Sequence, residues 1–128
     1  MAHPLGNLLR KYRVSRRQSL RTLAAKLRCS STYVCKIELG KAAPATPAFL
    51  SRLAAALELS ETEAQLLRYS AAISQRVIAL EGELSPKAYE MSHLFAQCLA
   101  VLTEDEIIDV EQILRRAKAE RGSYEEAK

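Results

Sequence analysis

The sequence predicts an all-α protein built from seven helices, most of them short. Three observations lead there. Apolar residues recur at three- and four-residue spacing along most of the 128 residues. Ser or Thr stands at the start of nearly every such stretch, where its side-chain oxygen can accept a hydrogen bond from an orphan amide of the first turn. No segment alternates with the period of a strand, and no Asn-Gly pair marks a hairpin.

Leu5, Leu8, Leu9 and Tyr12 form the inward stripe of a first helix that ends near Arg16 and carries a basic outer face. Ser19 caps a second helix of about two turns, with Leu20, Leu23, Ala24 and Leu27 facing in. Ser30 caps a third, whose inward positions are Tyr33 or Val34, Ile37 and Cys35, and Gly40 closes it. Thr46-Pro47 pairs an N-cap with proline in the first turn and opens a fourth helix bearing Phe49, Leu50, Leu53 and Leu57. Ser60-Glu61-Thr62-Glu63 has capping-box spacing and starts a longer fifth helix, expected to run through Leu66, Leu67, Ile73, Val77, Ile78 and Leu80 to Gly82. Ser85-Pro86 opens a sixth helix with Ala88, Met91, Leu94, Phe95, Cys98, Leu99 and Leu102. Thr103-Glu104-Asp105-Glu106 is a second capping box, and the last helix carries Ile107, Val110, Leu114 and Ala117 on one side.

Apolar residues make up 48% of the chain and charged residues 27%, a globular rather than a disordered balance. With no Trp and two Phe, the core must be built from Leu, Ile, Val and Ala. The start of the chain lacks the apolar run of a secretory signal, and no stretch is long enough to span a membrane, so a soluble cytoplasmic protein is expected. Cys29, Cys35 and Cys98 cannot all pair, and they form neither a CxxC nor a Cys/His cluster of zinc spacing. Packed thiols are expected there, with no metal and no cofactor.

Charge divides the chain. Residues 1–57 hold eleven Lys and Arg against a single acid, Glu38, a net charge of +10, whereas the remainder carries eight bases and fourteen acids, a net charge of −6. Solvated surface on short helices ordinarily mixes both signs. A basic half almost free of acids points to a polyanion, with nucleic acid the leading candidate. A membrane surface is the weaker one, because no segment joins a basic face to a large Trp, Phe and Leu face.

Five sequence pieces in order now become informative: Leu9-Arg10-Lys11-Tyr12-Arg13, Ser19-Leu20-Arg21-Thr22-Leu23-Ala24, Ser30-Ser31-Thr32-Tyr33-Val34, Ile37-Glu38-Leu39-Gly40-Lys41 and Leu53-Ala54-Ala55-Ala56-Leu57. Together they resemble the lambda-repressor-like helix-turn-helix domain of phage repressors, Cro proteins and bacterial Xre regulators, from about Leu5 to Ser60. The small Ala24 suits the close approach of two helices that such a motif requires. The resemblance implies an ion pair between Arg13 and Glu38, the alternative being an exposed Glu at a helix end. It makes the third helix the recognition helix, entering the major groove by its N-terminal end. Ser31, Thr32 and Lys36 are then the base-contacting residues, and Arg21, Ser30, Tyr33 and Lys41 the phosphate-contacting ones. Plain helix-start chemistry is the competing explanation for Ser31 and Thr32. Two positions depart from the family pattern. Arg28 stands where glycine is usual in the turn, at a cost on the order of 1–2 kcal/mol if the backbone is left-handed. Leu20 replaces a polar base-contacting residue and is assigned to packing or to a thymine methyl.

The expected organisation is a DNA-binding domain over residues 1–59, a helical dimerisation or partner-binding region over 60–121 and a flexible tail over 122–128. Dimerisation is assigned to Ile73, Val77, Met91, Leu94, Phe95, Leu99, Ile107, Val110 and Leu114, since a homodimer would present two reading heads to a pseudo-palindromic operator. The competing role for this region is extra core. A fragment ending near Leu59 is expected to fold as a monomer on four helices. The function read here is a transcriptional regulator, most naturally a repressor, on double-stranded DNA. The alternative is an antitoxin that binds its own operator and holds a toxin, a protein partner, through the C-terminal half. Catalysis is not expected: there are two His, no glycine-rich phosphate loop and no HExxH.

Overall fold

The computed structural model describes residues 3–43 and 45–122. Among them there are seven α-helices and no strand: α1 Pro4–Ser15, α2 Leu20–Leu27, α3 Ser31–Glu38, α4 Pro47–Ala56, α5 Glu61–Ile73, α6 Pro86–Cys98 and α7 Glu104–Arg121, with a 3-10 turn at Leu99–Val101 between the last two. The all-α fold class read from the sequence is therefore the one observed. Ser19, Ser30, Thr46, Ser60, Ser85 and Thr103 each accept a backbone N–H of the turn they precede, and Ser60 and Thr103 complete reciprocal capping boxes with Glu63 and Glu106. In both boxes the backbone N–H donated to the glutamate holds its carboxyl below the usual range. The tail expected to be flexible lies, beyond Gly122, outside the described residues.

The chain divides into two compact units, Met1–Ile78 and Ala79–Lys128. In the first, α1 packs on α3 and α5, α2 on α3 and α4, and α4 on α5. Its core is formed by Leu9, Leu23, Leu27, Val34, Leu53, Leu57 and Leu67, all essentially inaccessible to solvent. Val34 rather than Tyr33 takes the inward position on α3, while Tyr33 is half-buried with its ring edge-on to Phe49 at 5.8 Å.

Two expectations need correction. The boundary placed after residue 59 does not coincide with the division observed: α5 lies within the first unit, because Leu67, Ala64 and Ser70 are buried in it and the Ser74 Oγ accepts the Leu5 N–H at 2.9 Å. That helix also stops at Ile73 instead of continuing to Gly82. Ser74 donates its hydroxyl to the Ser70 carbonyl at 2.6 Å while receiving Leu5, and the chain beyond it leads into the β-branched Val77 and Ile78. Val77, Ile78 and Leu80 consequently lie in irregular, exposed chain.

Four of the five helices of the first unit are terminated by one device. After each of α1 to α4 a left-handed residue lets the next amide reach back five residues: Gln18 to Arg13, Cys29 to Ala24, Lys41 to Lys36 and Leu59 to Ala54. The left-handed positions are Arg17, Arg28, Gly40 and Glu58, so glycine occupies one of the four. The strain expected at Arg28 is present, at φ +57°. Arg28→Gly should stabilise the unit by about 0.5–1 kcal/mol, the relief of a left-handed side chain less the greater entropy of glycine in the unfolded chain. Urea unfolding monitored by circular dichroism measures the gain.

Gly6 is fixed for a different reason. A Cβ there would sit 2.2 Å from the Glu38 carbonyl oxygen, so the start of α1 lies against the end of α3 only because position 6 has no side chain.

Candidate nucleic-acid interface

The second and third helices, α2 and α3, are joined by the turn Arg28-Cys29-Ser30, and their buried residues Leu23, Ala24, Leu27, Val34 and Ile37 face the same core. Burial of Val34 and Ile37 leaves the opposite side of α3 to solvent, where Ser31, Thr32, Lys36 and Leu39 are exposed and Cys35 is half-buried. Thr32 and Lys36 are separated by one turn and share that face. Leu39 was not singled out by sequence reasoning, although it falls outside the inward pair and is 55% exposed.

The Ser30 Oγ accepts the Tyr33 N–H at 3.1 Å, which caps α3 and leaves the hydroxyl hydrogen available to a second acceptor. Arg21 and Lys41 are exposed, the first in the opening turn of α2, the second just beyond the α3 cap. Leu20 is half-buried against the core, which makes packing its first role.

Of the eleven bases in residues 1–57, three serve the fold. Arg13 lies in a two-pronged pair with Glu38, Nε to Oε2 at 2.7 Å and Nη2 to Oε1 at 3.1 Å, and its Nη1 donates to the Gln18 carbonyl at 3.0 Å. The bond to Glu38 pushes the guanidinium pKa further up. Arg16 reaches across to Glu63 at 2.7 Å and to the Leu57 carbonyl at 3.1 Å. Arg52 donates to the Leu27 carbonyl at the end of α2 and lies over the Phe49 ring. The other eight, Arg10, Lys11, Arg17, Arg21, Lys26, Arg28, Lys36 and Lys41, are exposed and make no ion pair among the described residues. Glu38 is 8% exposed at its side chain, and its charge is spent on Arg13. The exposed surface of residues 1–57 is therefore cationic without an opposing acid.

The residues expected at a dimer contact fall in both units. Ile73 closes α5 at 51% exposure, Val77 follows it at 87%, and Met91, Leu94, Phe95, Leu99 and Leu114 are 42% exposed or more. Ile107 and Val110 are half-buried. The three cysteines are free and half-buried, and among the described residues no three His, Cys, Asp or Glu come together as a metal site. No helix there is long and apolar enough to cross a membrane.

Two short helices joined at a tight turn, with a solvent-facing second helix and a cationic surround, define a helix-turn-helix DNA-binding domain. A family model described as a helix-turn-helix domain matches residues 4–79, and the chain belongs to that family. The matched span closely follows the first compact unit, α5 included. No curated protein and no solved structure matches the chain.

Proposed function

We propose that the protein is a sequence-specific transcriptional regulator of the Xre and phage-repressor type. In this reading it acts in the cytoplasm as a dimeric repressor on a pseudo-palindromic site in double-stranded DNA. The observation that carries the reading is the composition of the exposed basic surface: eight cations make no ion pair among the described residues, five of them (Arg21, Lys26, Arg28, Lys36 and Lys41) on or beside α2 and α3 and three on or just after α1, and the single acid of residues 1–57 is withdrawn into a pair with Arg13. Here α3 enters the major groove, with Ser31, Thr32 and Lys36 against base edges. Arg21, Ser30, Tyr33 and Lys41 hold phosphates, and the amide end of α2 adds its dipole to them. The C-terminal helices supply the dimer contact, supported by the absence of any buried residue in α6 or α7 and by the apolar side chains those helices expose.

Selection of preferred sites from random duplexes tests the assignment. Thr32→Ala or Lys36→Ala should lose about 1–3 kcal/mol on the best site and relax the choice at particular base pairs, whereas Lys41→Ala should weaken every site about equally. Unchanged ranking of sites in all three variants would show that α3 is not the reading head.

A further inference from the structure

We propose that α7 pairs with α7 of a second copy in antiparallel orientation, an inference that rests on the dimer reading above and gives it a topology. The helix carries one continuous apolar stripe, Ile107, Val110, Ile113, Leu114 and Ala117, at three- and four-residue spacing. Ile107, Val110 and Ala117 are half-buried, yet Ile113 and Leu114 remain 59% and 60% exposed at the centre of the stripe. A twofold axis near Gln112 sets Val110 against Leu114 and Ile107 against Ala117 of the second copy, so the stripe can close on itself with the helices running in opposite directions; a parallel pair in register would bury the same residues, and charge decides between the two.

Charge selects the antiparallel direction. Residues 104–111 contain five acids and no base, a net charge of −5, and residues 112–121 contain four bases and one acid, a net charge of +3. Parallel pairing would set acid against acid and base against base, whereas antiparallel pairing sets each half against its opposite twice. The halves are about 12–15 Å long, more than the Debye length of about 8 Å at physiological salt, so each charge responds chiefly to the half beside it. Compensation of the helix dipole accounts for acids in the first turn and bases in the last, but that effect has decayed by Asp109, Glu111, Arg115 and Arg116. Arg115 bonds Glu111 along the helix at 2.8 Å, while Asp105, Asp109, Arg116 and Lys118 form no ion pair among the described residues and remain available across an interface.

The test places a nitroxide on a single cysteine at position 112 or at position 104, in the full chain with Cys29, Cys35 and Cys98 replaced by serine. Mass is read by light scattering and label separation by double electron–electron resonance. The expected result is a dimer with Gln112→Cys labels, which face away from the stripe, within about 30 Å of each other and Glu104→Cys labels clearly further apart, by an added offset of about 24 Å along the helix axes from eight residues on either side of position 112 at 1.5 Å each. Similar short separations at both positions mean parallel helices, and long separations at both mean that α7 is not the contact; either overturns this proposal and leaves the dimer standing. A monomeric mass overturns the dimer reading itself. Charge reversal on the unlabelled chain gives an independent sign: Arg116→Glu with Lys118→Glu should weaken the antiparallel dimer about tenfold and recover in part when Asp105 and Asp109 are changed to Lys in the same chain, because that relieves the repulsion between the halves without restoring their attraction, whereas a parallel dimer would be strengthened by the first pair.

Discussion

A chain ended after Leu59, which the sequence suggests would fold on its four helices, should instead fail to fold, whereas one ended after Ile78 should unfold as a single cooperative unit. The shorter fragment keeps the four helices of the helix-turn-helix, but it loses Leu67, fully buried, together with Ala64 and the α5 surface that covers α1 and α4. Burying one leucine contributes about 1.5–3 kcal/mol, and the apolar faces of α1 and α4 newly opened to water add a similar amount. The fragment also loses Glu63, which receives Arg16, and Ser74, which receives the first amide of α1. A domain of this length has a total stability of about 4–12 kcal/mol, so the combined loss leaves little or nothing. Far-UV circular dichroism with urea titration on the two fragments gives the comparison. A cooperative transition in the shorter one would show that α5 is dispensable to the domain.

The second large effect is expected at the Arg13–Glu38 pair. Both side chains are mostly covered, at 14% and 8% exposure, and the two parallel bonds join α1 to the end of α3 where Gly6 already brings the backbones together. Removing one partner of a covered ion pair leaves the other charge desolvated without compensation, a loss of 3–5 kcal/mol in the fully buried limit. Arg13 retains its bond to the Gln18 carbonyl and some access to water, which places Glu38→Ala at about 2–3 kcal/mol. Glu38→Gln keeps an acceptor and should lose less. Denaturant midpoints of the two variants decide the point: equal, small losses would mean that the pair is worth no more than a surface bridge.

What the sequence reveals depends on whether the deciding contact is local. N-caps are local, since an Oγ and an amide three residues away settle the geometry, and Ser19, Ser30, Thr46, Ser60, Ser85 and Thr103 are all legible. His3, whose Nδ1 accepts the Gly6 N–H at 3.1 Å, is not among the usual capping residues and gives no such signal. Of the four left-handed terminators, Gly40 announces itself and the family resemblance points to Arg28, where glycine is usual, while Arg17 and Glu58 occupy positions that only the following bond to the helix reveals. The end of α5 is illegible because apolar spacing continues past it; a hydroxyl shared with the first turn of α1, 69 residues away, decides it. Gly6 reads in sequence as a weak point in a helix, and its reason lies on α3. At the candidate site the exposure of Ser31, Thr32 and Lys36 follows from the burial of Val34 and Ile37, whereas their reading as base contacts comes from the family resemblance. Leu39 escapes notice because an exposed leucine carries no polar signal.

Residues 1–57 should bind duplex DNA through their unopposed charge, and salt dependence tests that most directly. If about four to eight phosphates are neutralised per bound dimer, the affinity of the full chain for a pool of genomic fragments should fall about 10²–10⁴-fold between 50 and 200 mM monovalent salt, with log K linear in log salt. Affinity that does not change over that range, or no binding at the lowest salt, would contradict it.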